Sequence, residues 1–142
     1  MKSGKELLSA VLKTTQMEQT GIRSVLDAAT APSLRHALEA RLREYNGIES
    51  EVYTIASQRC WELQDLDPAL RFLSDRKNRM RLVRGDCDST IADMMIQGST
   101  KGMIRGLKDL HRYPHPDDRI SSISQKLLDC QTANIRQMQG FL

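Results

Sequence analysis

Glu18, Glu49 and Asn134 are the residues of this chain best placed to do chemistry. Each interrupts an apolar stripe of helical periodicity near its midpoint. Carboxylates projecting from facing helices toward a shared axis are the hard donors that iron or manganese takes. The usual set is a Glu from each of two helices and Glu-x-x-His from each of the others. Here no histidine accompanies them. Val52 stands one turn after Glu49 where an imidazole would belong, the last helix offers Gln131-x-x-Asn134, and Asp86, Asp88 and Asp93 lie off the centre of the first stripe of their segment. Glu18, Glu49 and Asn134 are therefore the ligands of any metal centre the chain carries. The competing expectation, which takes precedence, is a buried hydrogen-bond network that fixes helix register, because an unpaired carboxylate in a core is costly.

The elements that must position these residues read as helices throughout. Leu7, Leu8, Val11, Leu12, Ile22, Val25, Leu26 and Ala29 recur at three and four residues, behind a Ser3-x-x-Glu6 capping box, and predict a helix over 5–29. A Thr30-to-Ser33 break supplies a cap and Pro32. A second stripe from Leu34 through Tyr45, Ile48 and Val52 to Ala56 then predicts a helix over 33–62. Asp67-Pro68 opens a third segment that stays helical to Tyr113, long enough to be divided at Gly85 or at Gly98–Gly102. Its first stripe is Leu73, Met80, Val83, Cys87, Ile91 and Met94, and a second stripe on the opposite face holds Ile96, Met103 and Leu107. Asp117 caps a final helix with Ile120, Ile123, Leu127, Cys130, Asn134, Met138 and Phe141 inward. No strand-like alternation or repeat competes. The fold class is all-α, an antiparallel four-helix bundle forming one domain over 1–142.

Composition agrees with helices packed on helices. The chain has 142 residues, 39% apolar and 4% aromatic, so the core must be mainly aliphatic with Met as filler. A net charge of +3 is mild and does not imply nucleic acid. Cys60, Cys87 and Cys130 are too scattered for a disulfide framework or zinc knuckle, and no apolar run is long enough for a signal or membrane span. A reducing cytoplasm is the expected location.

The remaining candidates are weaker. His111 and His115 have i, i+4 spacing, but Pro114 and Pro116 break the helix that would align them, and His36 faces away from its stripe. Lys77, Arg81 and Arg84 share one side of the densest basic stretch and define an anion-binding or nucleic-acid-binding alternative, without interleaved aromatics to stack on bases. Cys87 and Cys130 fall on interior stripes as small core residues. No nucleophile–base pair, phosphate loop or dinucleotide fingerprint is present.

The stretch Ile91–Ile104, IADMMIQGSTKGMI, with Lys126-Leu127-Leu128-Asp129, Ala133-Asn134-Ile135 and the terminal Phe141-Leu142, resembles an uncharacterised bacterial domain family of the ferritin-like superfamily. The resemblance is best over 80–142 and implies a ferritin-like four-helix bundle with no assigned activity. Relatives in the superfamily use iron for storage or redox chemistry. Carried over, that pattern makes Glu18 and Glu49 ligand positions, with Asn134 where a histidine is expected. The leading expectation is a dimeric interaction or structural protein without a cofactor, its subunits meeting through Ile96, Met103 and Leu107. The alternative is a carboxylate-bridged redox protein of iron or manganese.

Overall fold

The computed structural model describes residues 2–83, 87–113 and 117–142, with side chains from residue 4 onward. Among the described residues the chain forms five helices and no strand: α1 Lys2–Leu26, α2 Pro32–Gln58, α3 Pro68–Leu82, α4 Cys87–Arg112 and α5 Asp118–Gln139. α1 is the central element, packed against all four others. α2 and α4 each also pack on α5, closing a cycle α1–α2–α5–α4, while α3 lies outside against α1 and α4. Cross-contacts fix the directions. Gln16 meets Glu49 and Gln19 meets Asn46, so α1 and α2 run antiparallel. Arg41 meets Gln137 and Glu51 meets Lys126, giving the same sense for α2 and α5. Ser99 meets Asn134 and Met103 meets Thr132, so α4 and α5 are antiparallel as well.

The sequence stripes explain this packing. Leu8, Leu12 and Ile22 of α1, Leu34, Leu38, Tyr45 and Ile48 of α2, Ile91 of α4 and Ile123 of α5 are all buried to 1% exposure or less. Each fully buried aliphatic side chain contributes roughly 1.5–3 kcal/mol relative to an exposed one, so these residues supply most of the drive to assemble. Two helix starts follow the expected chemistry. Asp67 accepts a 2.9 Å bond from the Ala69 amide with Pro68 in the first turn, and Asp117 accepts from the Arg119 and Ile120 amides at 3.1 Å. The start of α2 uses a different device. Its cap residue, Ala31, has no side-chain acceptor, and Asp88 at the beginning of α4 takes the Thr30 and Ala31 amides at 2.8 and 3.0 Å, locking the α1–α2 connection to α4.

Several expectations change. α1 begins at Lys2, ahead of Ser3, so the proposed capping box does not sit at the helix start, and Glu6 instead accepts a 2.6 Å bond from the Tyr113 hydroxyl. α2 ends at Gln58, and residues 59–67 form an irregular connection in which Cys60 adopts φ 56°. In the long third segment α3 ends at Leu82 and α4 is described from Cys87, running unbroken through Gly98 and Gly102. Gly85, Arg84, Asp86 and His115 lie outside the described residues. The stripe expected from Leu73 to Met94 is not buried as one face. Ile91 and Met94 are buried, but α3 buries no residue, and Leu73, Met80 and Val83 are 62%, 62% and 86% exposed.

The two α4 glycines do different work. A Cβ at Gly98 would meet nothing within 4 Å, whereas one at Gly102 would stand 2.6 Å from Gln131 Nε2, 3.2 Å from Glu18 Oε1 and 3.3 Å from Thr14 Cγ2. Gly98→Ala is expected to raise stability by about 0.5–1 kcal/mol, the helix-propensity gain at an uncrowded site. Gly102→Ala is expected to lose about 1–3 kcal/mol to overpacking against that gain. Urea midpoints for the two variants that move in the same direction would contradict the continuous α4.

Candidate functional site

A polar layer crosses the interior at the level where α1 passes Tyr45 and Ser99. Glu18 Oε2 accepts the Tyr45 hydroxyl at 2.9 Å and the Ser99 hydroxyl at 3.0 Å, and Ser99 Oγ accepts from Asn134 Nδ2 at 3.0 Å. Four helices thus contribute one member each: Glu18 from α1, Tyr45 from α2, Ser99 from α4 and Asn134 from α5. Tyr45 and Asn134 are 0% exposed and Ser99 is 1% exposed. Gln131, one turn before Asn134, reaches the same layer only because Gly102 lacks a side chain. It stands near enough to help hold the charge of Glu18, yet neither of its buried amide atoms makes a well-formed hydrogen bond, and Asn134 Oδ1 has no partner either.

Burial raises the pKa of Glu18 above the ordinary carboxylate value, opposed by the hydrogen bonds from Tyr45 and Ser99. The same burial, reinforced by the neighbouring carboxylate, raises that of the Tyr45 phenol, which stays a donor. The cluster is arranged to hold one carboxyl group between two hydroxyls, a stable and register-specific set of contacts.

Glu49 belongs to a second network on another side of α1. Gln16 and Gln19, spaced to share a face, approach its two oxygens at 3.1 and 3.3 Å. Gln16 is the hub. Its Nε2 also lies 3.2 Å from Tyr53 Oη and 2.9 Å from Asp65 Oδ1, more acceptors than its two hydrogens can serve at once, and its Oε1 accepts the buried Leu66 amide at 2.6 Å. Tyr53 donates to the same Asp65 oxygen, so the 59–67 connection is tied to α1 and α2 through side chains. Partial burial, then the bond to Asp65, pushes the Tyr53 phenol up to about 12, and the Tyr53 bond holds the Asp65 carboxyl below its usual range. These residues line a groove of about 660 Å³ that continues past Leu66 to Phe72 and Asp75 of α3.

The structure therefore brings Glu18 and Asn134 together, through Ser99, and gives Glu49 different partners. Among the described residues no three His, Cys, Asp or Glu side chains gather as a metal-binding group. Hydroxyls and amides surround Glu18, and amides hold Glu49. His36 and His111 are exposed. Cys130 is buried beside Glu44 and Arg41, with its thiol pushed up to about 11 by burial first and then by the bond to Glu44, so it is a poor nucleophile. Sequence reasoning missed Gln16, Tyr45 and Ser99 as members of these networks. The i, i+3 pair Gln16 and Gln19, flanking the inward Leu12 at the edge of the α1 stripe, was the available signal.

No helix of the described residues is long and apolar enough to cross a membrane. No protein-family model matches the chain, and no curated protein or solved structure matches it significantly.

Two outcomes test this geometry. Because the folded-state pKa of Glu18 is raised, the folded protein keeps a proton that the unfolded chain has released. Stability is therefore full below the ordinary value of 4.5 and is lost as pH rises through the folded pKa. Glu18→Gln removes that dependence, so its urea midpoint relative to the parent is expected to climb between pH 4.5 and 7.5; a constant difference would show that Glu18 does not titrate this way. Separately, Gln16→Leu strands the Leu66 amide and is expected to cost about 2–3 kcal/mol in chemical unfolding.

Proposed function

We propose that the chain is a helical interaction protein whose α3 docks an acidic, amphipathic helix of a partner. The observation that carries this reading is the outward face of α3. Phe72, Leu73, Met80 and Val83 lie within one 100° arc by helical geometry and are 59%, 62%, 62% and 86% exposed. An element that buries none of its own residues yet carries such a stripe has the pattern of one half of a helix pair.

Charge selects the partner. α3 carries Arg71, Arg76, Lys77, Arg79 and Arg81 against Asp75 alone, and Asp75 is already held by Ser24 and Arg79. Arg76 sits within the apolar arc, its guanidinium over the Phe72 ring at 5.8 Å. A twofold contact of α3 with its own copy would set Arg76 against Arg76 across a desolvated surface, whereas a helix bearing Leu and Glu satisfies both components. The cyclic antiparallel packing of α1, α2, α5 and α4 supports reading the scaffold as a ferritin-like four-helix bundle with α3 added at its side. Its polar interior supports a structural role for that bundle over a redox one.

A second reading, self-association through α4, is supported by Ile104 and Leu107, which are 47% and 44% exposed. The original set of Ile96, Met103 and Leu107 is less open than the sequence implied. Ile96 packs against the core and Met103 accepts the Thr132 hydroxyl at 3.4 Å, leaving Leu107 as its outward member. Sedimentation of the full chain and of Leu107→Lys separates this reading: a dimer dissolved by the substitution supports it, and a monomeric parent removes it.

The α3 reading is tested with synthetic helical peptides carrying an apolar stripe flanked either by Glu or by Lys. Fluorescence anisotropy is expected to show binding of the acidic peptide that weakens with salt and falls at least about tenfold, or 1.4 kcal/mol, in Arg76→Glu and in Leu73→Ser/Met80→Ser. Equal binding of both peptides, or none of the acidic one, would overturn it.

A further inference from the structure

Beneath α3 lies a cleft of about 200 Å³ walled by α1, α3 and α4. Its inner end is made by Glu18 and the buried Ser99, and its outer part by Lys77, Arg81 and Lys101. We propose that this cleft is a binding site for a small zwitterion, a molecule with an ammonium group at one end and a carboxylate or phosphate at the other, a few bonds apart.

Both ends of the cleft ask for such a ligand. Glu18 uses Oε2 for its contacts with Tyr45 and Ser99, and the Gln131 amide, which makes no well-formed hydrogen bond, is a further donor near the carboxylate. A carboxylate held on one oxygen by two rigid donors, with a loosely placed amide as its further neighbour, is a preorganised acceptor for an ammonium group. An arriving cation would also favour its ionised form, reversing the effect of burial.

At the other end the charges are of opposite sign. Lys77 and Lys101 make no ion pair among the described residues, and Arg81 has only a 3.7 Å contact with Asp93, which does not line the cleft. Three cations converging on a cavity from two helices form a setting for a carboxylate or phosphate. Between the two ends Met94 and Met95 give apolar walls suited to a short methylene spacer.

The backbone leaves room for this ligand. Gly21 of α1 and Gly98 of α4 both line the cleft, and a Cβ at Gly98 would meet open space. The basic residues 77 and 81 thus contribute to a bounded site shared with Lys101, one that selects a molecule of a few heavy atoms and not an extended polyanion. The inference is independent of the α3 docking surface, which uses the outward arc of that helix.

The test is heteronuclear NMR titration of the full chain at constant ionic strength and pH 7 with 4-aminobutyrate and with O-phosphoethanolamine. Butyrate and butylamine serve as single-ended controls. Saturable shifts of the Gly98, Ser99 and Lys101 amides are expected with at least one zwitterion, with each single-ended compound at least about tenfold weaker. Glu18→Gln and Lys77→Ala/Lys101→Ala are each expected to weaken binding by a similar factor. Gly98→Leu fills the cleft from an uncrowded helix position and is expected to abolish the shifts with the fold intact, which keeps the test decisive should Glu18→Gln unfold. Absence of saturable shifts with both zwitterions, butyrate binding as well as 4-aminobutyrate, or full binding by Gly98→Leu would each overturn the proposal.

Discussion

A carboxylate inside a helical core cannot be left without donors, and much of this structure follows from how that requirement is met at Glu18. Removing an unpaired carboxylate from water costs several kcal/mol, more than one hydrogen bond returns. Two hydroxyls on one oxygen offset part of that cost, and they can do so only if α2 and α4 are held at a fixed axial position relative to α1. A slip of either helix by one turn would move Tyr45 or Ser99 by about 5.4 Å and strand the carboxyl group. Aliphatic stripes tolerate such slips far better. Leu, Ile and Val supply the driving force for assembly, and the Glu18 layer selects one register from the several they permit.

The Gln16 network solves a different problem with the same chemistry. Residues 59–67 form a connection without regular backbone pairing, and the Leu66 amide is buried within it. Gln16 Oε1 takes that amide while its Nε2 engages groups on α2 and on the connection itself. An amide side chain, donor at one atom and acceptor at the other, can bridge two elements in this way where a carboxylate cannot. The consequence is directional. Fixing Leu66 and Asp65 fixes the point from which Asp67 and Pro68 launch α3, so the placement of α3 over α1 depends on a side chain in the first helix.

The legibility of the molecule in its sequence divides along the same lines. Helices with one apolar face against a core, α1, α2 and α5, were readable because burial imposes a 3.6-residue period that no other constraint obscures. Asp67 and Asp117 were readable as caps because the donor geometry of a helix start is local. Two things were not local. Glu18 and Glu49 occupy similar positions on their stripes, and a wheel drawn for one helix at a time places both inward; only the rotation of α1 relative to α2 sends Glu18 toward Ser99 and Glu49 toward Gln16. The stripe through Leu73, Met80 and Val83 looked like core because periodicity records that a face is apolar, without recording whether the same chain covers it.

That distinction bears on why α3 holds its position while burying none of its residues. Its side-chain connections to the rest of the molecule are the partly buried Leu82, packed against the core, and two polar contacts, Asp75 to Ser24 at 2.6 Å and Arg81 to Asp93. Polar contacts of this kind at a solvated surface are worth roughly 0–1 kcal/mol each, against the several kcal/mol that one well-packed helix face supplies. α3 is therefore the element whose position is most easily altered by anything that binds on either side of it. Its outward arc offers apolar area to a macromolecular partner, while Lys77 and Arg81 on its inner edge border the cleft that reaches Glu18. A ligand bridging α3 to Glu18 would fix the helix from within, and a partner helix would fix it from outside. Each would then lower the ordering cost of the other, which is the physical requirement for coupling two sites through one weakly held element.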